Sequence, residues 1–421
     1  MKEVDLVIIG GGSAGMASAL EAHKLGVQDI LLLEKNDYLG GILNQCIHNG
    51  FGLIEFNEEL TGPEFMTRFY KLIKEEKIDY RLSSYVLNID KDKVITYTNS
   101  REGTVSIKAK AIILTTGCYE RNAGAISLCG TRPSGIYTAG QAQLYLNNYG
   151  YLVGKKVVIL GSGDIGLIMA RRMTLEGAKV VSVLEINPYS AGLNRNIVQC
   201  LNDFNIPLKL STTVKEVKGN NKLEKVVIAK VDEKFHFIEG SEEEIEADTL
   251  LLSIGLLPNV TLLDNLEIKM SKARGPLVNQ DRETSLPGLF AAGNVLHVHD
   301  LVDYVTQEAR EAAKGAFKYL NEKLNNKGFN YDVIPGNGVN YVVPGIVNIE
   351  DADDSFKIKF RVKKPYRNVD IIISEGNNLI KKLYKNAIIP SEMEIISINK
   401  SSLKELNNKL EVRIEEKKWK N

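Results

Sequence analysis

Two stretches of the chain constrain its fold more than any other feature. "DLVIIGGGSAGMASALEAHKLGVQDILLLEKN", from residue 5, and "KVVILGSGDIGLIMARRMTLEGAKVVSVLE", from residue 156, share one plan. Each begins with a continuous apolar run, the mark of a strand buried on both faces. A G-x-G-x-x-G turn follows: Gly10, Gly12 and Gly15 in the first copy, Gly161, Gly163 and Gly166 in the second. The first glycine permits a tight turn, the second lets a pyrophosphate approach the backbone, and the third lets the helix pack on its strand. A helix-length segment then leads to a second apolar run that closes on an acid, Glu34 or Glu185. Each acid stands 24 residues after the first glycine of its copy, where a carboxylate can accept hydrogen bonds from ribose hydroxyls. One such turn is weak evidence, since a cluster of helix-packing glycines reads the same way; two copies with matched acids are specific.

The likeness continues downstream. "LSSYVLNIDKDKVITYTNSREGTVSIKAKAIILTTG" and "LKLSTTVKEVKGNNKLEKVVIAKVDEKFHFIEGSEEEIEADTLLLSIG" both alternate apolar and polar residues. Both break at turns and end in a buried run before a glycine, Gly117 or Gly255. Residues 331–421 change character: "GNGVNYVVPGIV", "FKIKFRVKKPYRNVDIIISEG" and "KLEVRIEEKKW" alternate at period two, and "IKKLYKNAIIPSEMEIISINKSSL" reads as their connection. The expected fold class is α/β, with two Rossmann-like domains carrying antiparallel insertions and a small β-rich C-terminal domain. The first domain is expected over 1–125 and 275–330, the second over 126–274, and the β-rich domain over 331–421. Lys+Arg and Asp+Glu both number 53, so bulk electrostatics would hold neither nucleic acid nor an anionic membrane. The four cysteines (46, 118, 129 and 200) are scattered and fit neither a zinc site nor a secreted disulfide framework. No apolar run reaches the roughly 20 residues of a membrane span, and the opening residues leave no room for a signal peptide. A cytoplasmic protein is expected.

These motifs resemble the flavoproteins with two dinucleotide-binding domains, the pyridine nucleotide-disulfide oxidoreductase superfamily. That resemblance implies FAD in the first fold and NAD(H) in the internal one. The implied FAD residues are Gly10, Gly12, Ser13, Ala14, Gly15, Glu34, Lys35, Gly41, Val86, Thr116, Gly117, Arg121, Gly293 and Asn294. The implied nicotinamide-nucleotide residues are Gly161, Gly163, Asp164, Ile165, Gly166, Glu185 and Gly255. Asn294 in "TSLPGLFAAGN" stands where the family normally has Asp, and an amide adds no negative charge there. Glu185 would repel a 2′-phosphate, and residues 186–191 supply no Arg or Lys to receive one, so NADH is the expected donor. A closer resemblance rests on "GGILNQCIHNGFG", "EELTGPEF", "GTRPSGIYTAGQAQ", "AAGNVLHVHDLVDYV", "NYVVPGIV" and "AIIPSEMEII". It is to FAD/NAD oxidoreductases that accompany a bacterial glycerol-3-phosphate dehydrogenase-like flavoprotein, and it implies electron exchange with a partner dehydrogenase subunit. A homo-oligomer is compatible with it.

The family's redox dithiol is missing, because only Cys46 follows the double glycine at 40–41. Cys46 reads as a small core residue, as a single redox thiolate, or as a neighbour that tunes the flavin. His48 reads as a proton donor or as a satisfied loop residue. They are the candidate catalytic residues. His297 and His299, with Asp303, suggest a metal only weakly, and none is expected. Asp300 reads as the N-cap of a helix whose apolar face is Leu301, Val305, Ala309, Ala312 and Ala316. Arg121 and Arg132 read as anion contacts or as interdomain ion pairs. Tyr119 stands where relatives carry a basic residue, which removes one such contact. The tail reads as a docking surface, for a second copy or a partner, or as a stability module; without a cysteine after Cys200 it holds no thiolate-ligated cluster.

Overall fold

The first apolar run forms the strand Lys2–Ile9, which pairs in parallel with Ile30–Leu33 on one side and Gly103–Leu114 on the other. The computed structural model of the chain describes residues 1–324, 329–404 and 408–417. The sheet has seven strands. Asp79–Arg81 continues it beyond Ile30–Leu33, Val94–Asn99 and Tyr85–Ile89 add the antiparallel insertion, and Leu289–Ala291 returns in parallel beside Gly103–Leu114. Side chains alternate across it as the pleat requires. Leu6, Ile8, Leu32 and Ile113 pack with Met16 and Phe290 on the helix-covered face, while Val7, Ile9, Leu31, Leu33 and Leu114 pack with Leu263 and Leu296 on the other. Each fully buried Leu or Ile contributes roughly 1.5–3 kcal/mol.

The helix Ser13–Lys24 begins at the glycine turn and lies against the helix Val302–Leu320. Alanines of both helices share one core and let them approach, and Ser18 Oγ donates to the Ala309 carbonyl at 3.1 Å. Val305, Ala309, Ala312 and Ala316 are buried as their spacing predicts. The expected N-cap differs. Leu301 occupies that position with no side-chain cap, because Asp300 turns its carboxylate to Arg361 Nη2 at 3.1 Å. A mostly buried cation outcompetes the helix's N–H groups for it.

The second glycine turn builds a five-stranded parallel sheet in the order Leu208–Lys209, Lys179–Leu184, Lys156–Leu160, Thr249–Leu252 and Ile136–Thr138. Its antiparallel insertion is Thr212–Gly219, Leu223–Lys230 and Glu243–Glu246. The chain divides into two compact units, Met1–Cys118 with Pro258–Asn421, and Tyr119–Leu257. The divisions fall at 118/119 and 257/258, where the sequence suggested 125/126 and 274/275.

The tail is β-rich. Five strands (Ile346–Asn348, Asn330–Pro335, Lys409–Glu416, Tyr366–Glu375 and Asn378–Ile388) and three more (Val339–Val343, Ser355–Val362 and Glu394–Asn399) enclose a core of Val, Ile and Phe. The segment read as a connection, 380–403, supplies most of two strands. In Asn378–Ile388 alternate residues are only partly exposed, an edge-strand pattern that its lysines disguise. The last residues of "KLEVRIEEKKW" lie outside the described residues. The tail belongs to the same compact unit as the first sheet, and Tyr341, Val343 and Met393 enter the core on that sheet's outer face.

Candidate functional site

In the first unit the three glycines do different work. Gly10 has φ +110°, and a Cβ there would sit 2.4 Å from the Thr115 carbonyl oxygen. A Cβ on Gly15 would lie 1.8 Å from the Gly10 oxygen, so only glycine lets the helix close on the strand. Beside Gly12 the nearest atom to a Cβ is Gly41 Cα at 4.0 Å, which leaves an open cradle. The helix above it, Ser13–Lys24, has no side-chain cap, so its first N–H groups face that cradle unsatisfied by protein.

Three further segments converge on this turn. Glu34 is buried; Oε2 accepts the Gly11 N–H at 2.6 Å and Oε1 the Asn36 N–H at 2.8 Å. Each oxygen keeps a lone pair for another donor. A Cβ on Gly41, at φ +58°, would approach Gly12 Cα to 3.2 Å. Gly293, at φ +76°, packs on Ala14 and Val305. Thr115 donates its hydroxyl to the Ile9 and Gly10 carbonyls, both at 2.9 Å, and so anchors the 114–118 segment to the turn. Thr116 Oγ1 donates to the Asn259 carbonyl at 2.8 Å, and Gly117 is left-handed with open space where a Cβ would be. Asn294 Oδ1 accepts the His299 N–H at 3.0 Å, while its Nδ2 lies 3.6 Å from Cys118 Sγ.

Other expected residues lie elsewhere. Lys35 is exposed, and Val86 is buried in the outer-face core beside Ile95 and Tyr97. Arg121 belongs to the second unit, where its guanidinium reaches the Ile254 and Ala125 carbonyls at 3.4 Å. Cys46 is buried, its Sγ donating to the Ile42 carbonyl at 3.4 Å, and burial pushes the thiol up to about 12. That environment opposes a thiolate. His48 is half-buried against Phe51, with Nδ1 3.0 Å from the Asn49 carbonyl.

In the second unit Gly161 has φ +100°, and a Cβ there would meet the Ser253 oxygen at 2.0 Å; on Gly166 it would lie 2.6 Å from the Gly161 oxygen. A Cβ on Gly163 would only touch Ser253, at 3.7 Å from its Oγ. Glu185 is buried and more fully used than Glu34. Oε2 accepts Ser162 N–H at 3.1 Å and Oγ–H at 2.6 Å, and Oε1 accepts Asn187 N–H at 2.9 Å and Nδ2–H at 2.7 Å. Asp164, in the helix's first turn, accepts from Leu193 N–H at 2.9 Å and Asn196 Nδ2–H at 2.7 Å. Ile165 is partly buried beside it, and Gly255 is left-handed at φ +97°.

His297 and His299 meet Glu308, not Asp303; possible ligand atoms of the three lie within 4.8 Å of one another. Asp303 instead accepts the N–H groups of Gly52, Ile54 and Glu55 at 3.3, 3.0 and 2.8 Å. Glu308 Oε1 is held by Lys359 Nζ at 2.9 Å and His297 Nε2 at 3.0 Å, and Oε2 by the Gly293 N–H at 3.1 Å. A carboxylate so occupied by donors, with a second cation, Arg282, at 3.6 Å, has the chemistry of an ion-pair network rather than of a metal ligand. Sequence reasoning missed Thr115, Ser162, Glu308 and Lys359. Only Thr115 and Ser162 lay inside motifs that could have pointed to them.

A sequence profile described as pyridine nucleotide-disulphide oxidoreductase matches residues 4–316. The chain is 26% identical to the thioredoxin reductase of Listeria monocytogenes over 327 residues, which cover 76% of this chain and 95% of that protein. It is 24% identical to the NADH dehydrogenase of Bacillus subtilis over 324 residues, which cover 75% of this chain but only 58% of that relative's length. The crystal structure of T. acidophilum thioredoxin reductase superposes with a TM-score of 0.62 at 24% identity, covering 76% of this chain and 99% of that one. That likeness is one of fold.

Proposed function

The chain belongs to the pyridine nucleotide-disulphide oxidoreductase family, and from that premise we propose that it is an FAD-dependent NADH oxidoreductase that works without a redox dithiol. The observation that carries the reading is the pair of glycine turns, each under a helix with no side-chain cap and each beside a buried acid. Bound FAD would supply a two-electron acceptor for the hydride of NADH. The residues present fit it. Gly10–Gly15 would receive the pyrophosphate, Glu34 has acceptor capacity left for ribose hydroxyls, and Gly41 and Gly293 bring backbone to the same turn. In the second unit Gly161–Gly166 would receive the nicotinamide nucleotide, and the Glu185 carboxylate disfavours a 2′-phosphate. No helix among the described residues is long and apolar enough to cross a membrane.

The electron partner we propose is a second dehydrogenase subunit. The support is the resemblance to flavoproteins that accompany glycerol-3-phosphate dehydrogenase-like proteins, together with 25% identity over 283 residues to a protein named as hydrogen cyanide synthase subunit HcnB in Pseudomonas protegens. The alternative, a single-cysteine oxidase or peroxidase, is opposed by the thiol of Cys46, which its buried site keeps protonated at neutral pH.

Anaerobic mixing of the purified chain with NADH tests the main reading, and bleaching of the flavin absorbance at catalytic speed is expected. A colourless chain that takes up no FAD overturns it. The Cys46→Ser variant separates the two readings: unchanged bleaching and unchanged turnover are expected, and loss of oxygen or peroxide turnover would establish the oxidase instead. Affinity isolation from the native host should recover a second redox protein, and recovery of this chain alone counts against the partner.

A further inference from the structure

The tail reaches the first glycine turn through charge. Lys359, in the strand Ser355–Val362, is 3% exposed, yet its ammonium lies 2.9 Å from Glu308 Oε1 and 3.2 Å from Glu311 Oε2. Arg282, also buried, donates Nη2–H to Glu311 at 2.6 Å. Two carboxylates therefore face two cations. Burial pushes His297 down to about 3 although Glu308 pulls the other way. Two residues along the same strand, Arg361 grips the Val298 carbonyl at 3.2 Å and Asp300 at 3.1 Å. Arg361 thus holds the segment between Gly293 and the helix Val302–Leu320 directly, while Lys359 holds Glu308 and Glu311 of that helix.

Glu308 is the link. Its Oε2 accepts the Gly293 N–H, and Gly293 is the left-handed residue that packs on Ala14 in the glycine turn. We propose that Lys359 is a positioning residue for the Gly293–Asn294 turn: from the tail it keeps Glu308 ionised against the Gly293 amide, and so keeps that turn in the shape the flavin site needs. The inference rests on the FAD reading given above. It makes the tail a wall of the first fold rather than a free docking module.

Burial alone would raise the Glu308 carboxyl; the charge of Lys359, helped by the His297 hydrogen bond, outweighs it and holds the group well below the usual carboxylate range. The groups that face Glu308 are Lys359 from the tail strand, Arg282 from the loop before Leu289–Ala291, His297 and His299 from the segment after it, and Glu311 from its own helix. Tyr341, whose ring centre is 6.0 Å from that of His297, comes from Val339–Val343. Without Lys359 the largest opposing charge is gone, and burial pulls the Glu308 carboxyl up.

The experiment is FAD titration of the full chain between pH 6 and 8.5. Wild type is expected to bind with a flat profile. Lys359→Met should lose about tenfold in affinity, with the loss deepening as pH falls, because the protonated carboxyl is a weaker acceptor for the Gly293 N–H. Lys359→Arg should restore the flat profile, and Lys359→Met with Glu308→Gln should be flat and weak. Lys318→Met is the structural control. Lys318 ties the tail through Asp281 and Asp353 without touching Glu308, and its variant should show no pH dependence. A Lys359→Met chain with wild-type affinity and profile overturns the inference, as does a flat loss shared equally with Lys318→Met. If Lys359→Met does not fold, Glu308→Gln alone carries the test: an affinity within twofold of wild type overturns the inference. A wild type that takes up no FAD overturns the flavin reading and this inference together, which distinguishes the two failures.

Discussion

The two glycine turns share a motif and a spacing but differ in how fully their own residues use them. In the first, position 11 is Gly, and Glu34 receives two backbone N–H groups, one on each oxygen. In the second, position 162 is Ser, and Glu185 receives four donors, two on each oxygen. Ser162 Oγ also accepts the Ala191 N–H at 2.9 Å, so the hydroxyl ties the acid to the following loop. The helix start differs as well: Ser13 in the first, the carboxylate of Asp164 in the second. An anion there stands at the same dipole end that a phosphate would use. The first turn thus leaves its acid with more unused acceptor capacity than the second.

The largest expected effect comes from the third glycines. Gly15→Ala would force a methyl to 1.8 Å from a backbone oxygen, whereas Gly166→Ala reaches 2.6 Å. Overpacking of this kind typically costs about 1–3 kcal/mol and occasionally more. Gly15→Ala should yield chain without flavin. Gly166→Ala should keep its flavin and raise KM for NADH at least about tenfold; equal loss of flavin in both would break the comparison. Next are the acids. Glu34→Ala strands the buried Gly11 N–H, at about 1–3 kcal/mol, and the part-buried Asn36 N–H at less. Flavin affinity should fall about ten- to a hundredfold by titration. Glu185→Ala should leave flavin content unchanged, raise KM for NADH, and narrow the preference over NADPH in steady-state kinetics. The smallest change is Asp164→Asn, which keeps an acceptor for Leu193 and Asn196 but removes the charge. Helix-end charges contribute about 0.3–1 kcal/mol, so KM for NADH should fall about two- to fivefold; a rise would mean that Asp164 contacts the nucleotide directly.

The glycine turns, their acids, both antiparallel insertions and the apolar face of the last helix were legible because each depends on residues near one another in sequence. Other expectations failed where a distant residue intervened. Asp300 had the right type and place for an N-cap, but Arg361, 61 positions on, claims it. Asp303 was paired with the histidines by proximity, but it serves the loop at 52–55, and Glu308, one helical turn and more beyond, takes its place. Arg121 was grouped with the first fold because it follows Gly117 closely, yet it lies across the division between the compact units. Cys46 lies in core, one of the three readings its sequence position left open, and the side chain of Val86 is likewise buried in core.

The sequence by itself determined the two nucleotide folds, because a strand, a glycine turn and a helix form a local unit whose steric demands are written in consecutive residues. Only the tertiary structure decided where the charged groups go. A buried Lys, Arg or Glu is stable only opposite a partner, and Lys359, Glu308 and Arg282 find theirs across 51 and 26 positions of chain. No periodicity encodes such pairings; they exist because the tail packs where it does.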